Sequence, residues 1–89
     1  MSTVVAFVVV RKYSPESVKV ALGAAIRKHR LAAGLSQIKL ADRAGIHFTY
    51  LADTERGERN MAIVNIVRLS QALDVPLNEL FRTVEKELK

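Results

Sequence analysis

The chain has 89 residues, of which 49% are apolar and 26% charged, a composition typical of one small soluble domain. Fourteen basic and nine acidic side chains give a net charge of +5, which favours an anionic partner such as nucleic acid. The lack of cysteine excludes a disulfide framework and a thiolate metal site. The longest uncharged run, residues 1–10, is too short to span a membrane. It also lacks the basic residue that precedes the apolar stretch of a signal peptide. We therefore expect a cytoplasmic protein.

Residues 4–10 are apolar and mostly β-branched, which favours a strand over a helix. We expect residues 1–13 to form an N-terminal extension. An isolated strand leaves its backbone groups unpaired, so one hypothesis is that two copies of the chain pair here as a dimer. A partly disordered leader, or a segment packed on its own helices, is the alternative. A second candidate dimer face lies on the last two helices, with Val67, Val75, Leu77 and Phe81.

Five helices follow the strand. Ser14, Pro15 and Glu16 are typical of a helix start, and the first helix is predicted over about 15–33, with Val18 on its apolar stripe. Glycines punctuate the next segments, which predicts helices over 37–44 and about 48–56. The fourth helix is predicted over about 62–73, with Ile63 on its inner face, and the fifth from about 77. We expect it to fray into a charged tail over 83–89. The fold class predicted is all-α, with five helices and a short N-terminal strand.

The segment from Gln37 to Arg56 predicts a helix-turn-helix, spanning about 36–56. Gly45 permits the sharp reversal between two short helices, and the small side chain of Ala41 permits their close approach. Leu40, Ile46 and Leu51 are the apolar residues expected to fix the angle between them. In such a motif the second helix enters the major groove of DNA.

The stretch from Leu22 to Phe81 resembles the Xre/Cro/C1-type helix-turn-helix family, which includes lambdoid repressors and restriction-modification controller proteins. The motifs that carry the resemblance are Gly34-Leu35-Ser36-Gln37, Ala44-Gly45-Ile46, Glu55-Arg56-Gly57 and Gln71-Ala72-Leu73-Asp74-Val75. It implies a lambda-repressor-like DNA-binding domain over 14–82. It also implies a homodimeric transcriptional regulator that binds a palindromic operator in double-stranded DNA. Lys39 departs from the glutamate common in the family, so the capping box of the second helix is open.

The resemblance also implies roles for individual side chains. The residues expected to read base edges are His47, Phe48, Thr49 and Asp53. Those expected to contact the DNA backbone are Gln37, Lys39, Arg43, Tyr50, Arg56, Arg59 and Asn60. Arg30 and Glu55 are expected to form a structural ion pair. The plainer alternatives are that Tyr50 or Phe48 caps the small core and that the charged side chains are simply solvated.

Nothing in the sequence indicates an enzyme. His29 and His47 have no ligand-like spacing partner, and no catalytic motif is present, so we expect neither a metal nor a cofactor. The expected partners are DNA, a second copy of the chain, and RNA polymerase, which the regulator would exclude or recruit. The alternative functions are an antitoxin that binds a toxin through the N-terminal strand, with DNA binding secondary, and a helix-turn-helix adaptor that does not contact DNA.

Overall fold

The computed structural model describes residues 12–88, so the predicted N-terminal strand lies outside the described residues. Within this range the chain forms five helices, as predicted. They are α1 (Pro15–Ala32), α2 (Gln37–Ala44), α3 (Phe48–Glu55), α4 (Ile63–Leu73) and α5 (Leu77–Leu88). None of them combines the length and apolar character that a membrane-spanning helix requires.

Local capping interactions define the helix ends. The Ser14 hydroxyl accepts a hydrogen bond from the Ser17 backbone N–H at the start of α1, at 3.1 Å. The Ser36 hydroxyl accepts from the Lys39 N–H at the start of α2, also at 3.1 Å. Gly45 ends α2 in the left-handed conformation, with φ 70°, which a glycine adopts without a steric penalty. Residues within one turn of each of these helix ends therefore determine where the helix begins or ends.

Each helix contributes one large, fully buried aliphatic side chain to the centre of the core. These side chains are Ile26, Leu40, Leu51, Leu69 and Leu80, each 0% exposed. Two residues predicted to face inward are instead exposed, Val18 at 42% and Ile63 at 58%. Both lie in the first turn of their helices, before the buried residues of those helices begin.

The charged tail predicted over 83–89 is wrong for residues 83–88, because α5 continues to Leu88. Val84 is 5% exposed and belongs to the core. The Thr83 hydroxyl lies 2.8 Å from Nε2 of His29 on α1, and Lys28 forms an ion pair with Glu87. Contacts with α1 therefore hold this last stretch of the chain in a helix.

α1 and α3 approach each other closely at Gly23. A Cβ atom at this position would lie 2.7 Å from the Glu55 carbonyl oxygen, and closer still to that of Thr54. Real Cβ atoms do not come so near to backbone atoms, so only glycine permits this approach. The approach brings the end of α3, which carries Glu55, against α1, which carries Arg30.

Candidate nucleic-acid interface

α2 and α3 form a helix-turn-helix around a short, hydrogen-bonded turn. The Ile46 N–H donates to the Ala41 carbonyl at 3.0 Å, and the Gly45 N–H donates to the Asp42 carbonyl at 3.2 Å. His47 then precedes α3 in an extended conformation, and its Nδ1 accepts from the Thr49 N–H at 3.2 Å. Because Nδ1 is an acceptor here, Nε2 is the ring nitrogen that carries the proton in the neutral imidazole.

Three of the four predicted base-reading residues lie side by side on the surface at the start of α3. His47, Phe48 and Thr49 are all exposed, with Phe48 at 43%. The ring N–H of His47 suits a hydrogen-bond acceptor on a base, and the ring edge of Phe48 suits a thymine methyl. The Thr49 hydroxyl suits either a donor or an acceptor on a base. The fourth, Asp53, lies one turn along α3 and is only 22% exposed in its side chain. Its carboxylate is occupied by Arg56 and Arg59.

Tyr50 connects α3 to the start of α4. Its ring is half-buried against the core, and its hydroxyl accepts from the Ala62 N–H at 3.1 Å and from Asn65 Nδ2 at 3.3 Å. The side chain therefore has the core-capping position that the plainer alternative describes. Both bonds use the hydroxyl as an acceptor, so its own hydrogen can still be donated to a phosphate oxygen.

Gln37 and the predicted Arg30–Glu55 pair form one network. Arg30 donates to both Glu55 carboxylate oxygens, from Nε at 2.7 Å and from Nη2 at 3.0 Å, and its Nη1 donates to the Leu35 carbonyl at 2.9 Å. The side chains of the pair are only 9% and 3% exposed. Gln37 Nε2 adds a bond to Glu55 at 2.9 Å. No sequence signal indicates this last contact, which fixes the amide at the first residue of α2.

The remaining predicted backbone contacts lie on the segments that precede and follow α3. Lys39 and Arg43 are exposed on α2, while Arg56, Arg59 and Asn60 are exposed at the end of α3 and in the following loop. Within residues 12–88, no group of three or more histidine, aspartate or glutamate side chains is arranged to hold a metal ion. The side chains exposed around α3 offer hydrogen-bonding groups and several basic groups.

Comparison with known proteins identifies the family. Residues 26–80 match the family described as Helix-turn-helix, which is more than half of the chain. The chain belongs to this helix-turn-helix family. It is 38% identical over 65 residues to control protein C.BamHI of Bacillus amyloliquefaciens, which covers 72% of this chain and 80% of that protein. It is also 35% identical over 71 residues to control protein C.MunI of Mycoplasma sp, covering 79% of this chain and 96% of that protein.

Solved structures agree with this assignment. The restriction-modification controller protein C.AhdI from Aeromonas hydrophila is 44% identical, with a TM-score of 0.69, over 71% of this chain and 96% of that one. C.Esp1396I bound to a 19 base pair DNA duplex is 28% identical, with a TM-score of 0.75, over 81% of this chain and 96% of that one. The helix-turn-helix domain of the present chain thus shares the fold of controller proteins.

Proposed function

We propose that this helix-turn-helix protein is a sequence-specific, double-stranded DNA-binding transcriptional regulator that acts as a homodimer on a palindromic operator. The observation that carries the proposal is the similarity to C.Esp1396I, whose structure is that of a complex with a DNA duplex. A duplex of 19 base pairs has room for two major-groove half-sites one helical turn apart. The similarity to control proteins favours the same conclusion.

In the proposed complex, the start of α3 lies in the major groove. His47 Nε2 donates to a purine acceptor, and the Thr49 hydroxyl contacts a base or a phosphate next to it. Phe48 has no side-chain donor or acceptor, so its contribution is apolar contact with a thymine methyl. These roles are supported by the exposure of all three residues, which are consecutive in sequence and lie at the N-terminus of α3.

The DNA backbone is held from both sides of α3. At the start of α2, Gln37 still has one amide hydrogen to donate to a phosphate oxygen, since only one hydrogen is given to Glu55. Free backbone N–H groups at that helix end add to the attraction. The other backbone contacts are proposed for Lys39, Arg43, Tyr50, Arg56, Arg59 and Asn60.

No chemical step is part of this function. We place the protein in the cytoplasm, on the nucleoid, as a regulator rather than an enzyme. Bound to an operator, it excludes RNA polymerase or recruits it, depending on where the operator lies relative to the promoter.

Selection of bound fragments from genomic DNA tests the proposal directly. We expect recovery of a symmetric sequence, bound about 10³-fold or more tightly than random duplex, with an affinity that falls steeply as salt is raised. Equal affinity for all sequences would contradict the proposal. A chain that binds no DNA but captures a partner protein would favour the antitoxin or adaptor alternative.

Two variants then separate base reading from backbone contact. We expect Thr49→Ala to relax the preference at one base-pair position in each half-site, with little change in affinity for random duplex. We expect Arg59→Ala to weaken binding to all sequences alike and to reduce the salt slope by about 1 per protomer. Electrophoretic mobility shifts with operator and scrambled duplexes over a salt series measure both. If Arg59→Ala leaves both affinities intact, the assignment of Arg59 is wrong.

A further inference from the structure

Asp53 lies at the centre of a charged cluster at the end of α3. One carboxylate oxygen accepts a hydrogen bond from Arg56 Nη2, and the other lies 3.5 Å from Arg59 Nε. The carboxylate side chain is 22% exposed, whereas those of the two arginines are 55% and 51% exposed. One largely covered carboxylate is thus shared by two arginines that are both candidates for phosphate contact.

Arg59 is restrained a second time by Tyr50. Its guanidinium lies over the Tyr50 ring, 5.2 Å from the ring centroid, within the range of a cation–π interaction. The ring itself is held by the bonds that its hydroxyl accepts from Ala62 and Asn65. Arg59 itself lies in the loop after α3. Its side chain is nevertheless positioned by a carboxylate and an aromatic ring that both belong to α3.

We propose that Asp53 is a positioning residue that restrains Arg56 and Arg59 and thereby sets the ratio of specific to non-specific DNA binding. The inference rests on the proposed function. Non-specific binding is almost entirely phosphate attraction, so a carboxylate beside these arginines lowers their contribution to it. In the specific complex α3 lies in the major groove, and Arg59 is already positioned to contact one phosphate. Its side chain therefore loses less conformational entropy when that contact forms.

This role differs from the base-reading role predicted for Asp53 from the sequence, for which the base that a carboxylate suits is cytosine. A carboxylate that accepts from cytosine must present an oxygen to the base edge. Here both oxygens are already engaged with guanidinium groups on the protein. Acceptance by cytosine would have to use a second lone pair of an oxygen that already faces a guanidinium, in a side chain that is only 22% exposed.

The test compares Asp53→Asn with Glu58→Gln. Each variant removes one negative charge and keeps the shape of the side chain. Glu58 is 60% exposed and pairs with Arg56 at 3.3 Å, so it is a matched control for the charge change without the Arg59 contact. Dissociation constants are measured for operator and scrambled duplexes over a salt series, after circular dichroism has verified that each variant is folded.

We expect Asp53→Asn to raise affinity for scrambled duplex by about eight-fold for each bound protomer at 0.1 M salt, the gain from one additional phosphate contact. The salt slope for scrambled duplex should steepen by about 1 per protomer. Affinity for the operator should change by less than about three-fold, so the specificity ratio falls. Glu58→Gln should leave the ratio within about two-fold of the wild type, as expected for a solvated surface charge.

Two outcomes would overturn the inference. If Asp53→Asn changes the preference at a single base pair and leaves binding to scrambled duplex unaltered, Asp53 is a base contact. If both variants lower the specificity ratio equally, the effect is one of net charge, without positioning.

A measurement without DNA isolates the contact itself. In the free protein, ¹⁵N relaxation of Arg59 Nε should show a restrained side chain in the wild type and in Glu58→Gln. It should show a mobile one in Asp53→Asn. Equal mobility in all three would refute the positioning of Arg59 even if the regulator binds its operator. A wild-type chain that binds no duplex would instead refute the proposed function, and with it any role of Asp53 in DNA binding.

Discussion

The Arg30–Glu55 pair is the main buried polar interaction among the described residues, and its hydrogen bonds are complete. Arg30 donates three times, and Glu55 also accepts from Gln37. A buried ion pair adds little net stability, because its attraction is offset by the free energy of removing both charges from water. Its importance lies in the penalty for leaving one partner alone. That penalty also reaches Gln37, whose amide would lose its anchor at the start of α2.

We therefore expect Glu55→Ala to lower the free energy of unfolding by about 3–5 kcal/mol, because it strands the Arg30 guanidinium. Lys28→Ala is the matched control, since the Lys28 side chain in the pair with Glu87 is 65% exposed, and its loss should lower the free energy by less than about 1 kcal/mol. Urea unfolding followed by circular dichroism measures both. Equal losses for the two variants would show that the buried pair is worth no more than a surface one. The double replacement Arg30→Met with Glu55→Leu should recover most of the loss.

At the scale of elements, the approach of α1 to α3 at Gly23 is the tightest constraint on the helix-turn-helix. An alanine within a helix ordinarily stabilises it relative to glycine by about 0.5–1 kcal/mol. At Gly23 we expect the opposite sign, because the Cβ would overlap the backbone carbonyls of Thr54 and Glu55. Overpacking of this kind lowers the free energy of unfolding by about 1–3 kcal/mol.

Thermal or urea unfolding of Gly23→Ala measures this effect. Gly34→Ala is a useful comparison, because its Cβ would have no neighbour within 4 Å, although φ is +71°. That variant tests backbone strain alone, which costs about 1–2 kcal/mol for a non-glycine residue. If Gly23→Ala were as stable as the wild type, the close contact of α1 with α3 would be contradicted.

The sequence predicts those elements whose signals are local. Ser14, Ser36 and Gly45 each cap a helix through groups a few residues away, and the predicted bounds of α1 to α3 are correct to within a residue. The end of α5 does not follow, because its charges resemble a solvated tail and the burial of Val84 depends on α1, far away in the chain. A pattern within one segment does not show which other segment covers it.

The same reason limits prediction of the site. The exposed start of α3 follows from the order of motifs, since consecutive residues at a helix N-terminus share one end of the helix. The contacts of Tyr50 with Ala62 and Asn65 need the position of α4, and that of Gln37 with Glu55 needs the packing of α2 on α3. Residue types and spacing indicate candidates, whereas tertiary packing decides which of their atoms remain available to DNA.

At the scale of the whole molecule, the fold determines which charged side chains are exposed to a partner. Residues 1–30 carry the entire surplus of +5, with six basic side chains and one acid, and residues 36–60 are formally neutral. In the structure the four basic side chains of residues 36–60 are exposed, whereas only Asp42 and Glu58 of its four acids are. Lys19 lines a surface depression together with Asn60, so part of the N-terminal surplus lies beside the loop after α3. We therefore expect Lys19 to make a supplementary contact with the DNA backbone.

Sequence-specific binding is expected to need both protomers, because one α3 of eight residues is only about 12 Å long and reads few base pairs. A rigid dimer places its two recognition helices about 34–36 Å apart, on the same side of the duplex. Inserting five base pairs between the half-sites of the selected operator turns them to opposite sides. We expect this insertion to reduce affinity by about 10²-fold or more, towards that of scrambled duplex. A substituted spacer of unchanged length is the control and should retain most of the affinity. Mobility shifts, with stoichiometry from sedimentation, make the measurement. Unchanged affinity after the insertion would mean that each protomer binds its half-site independently.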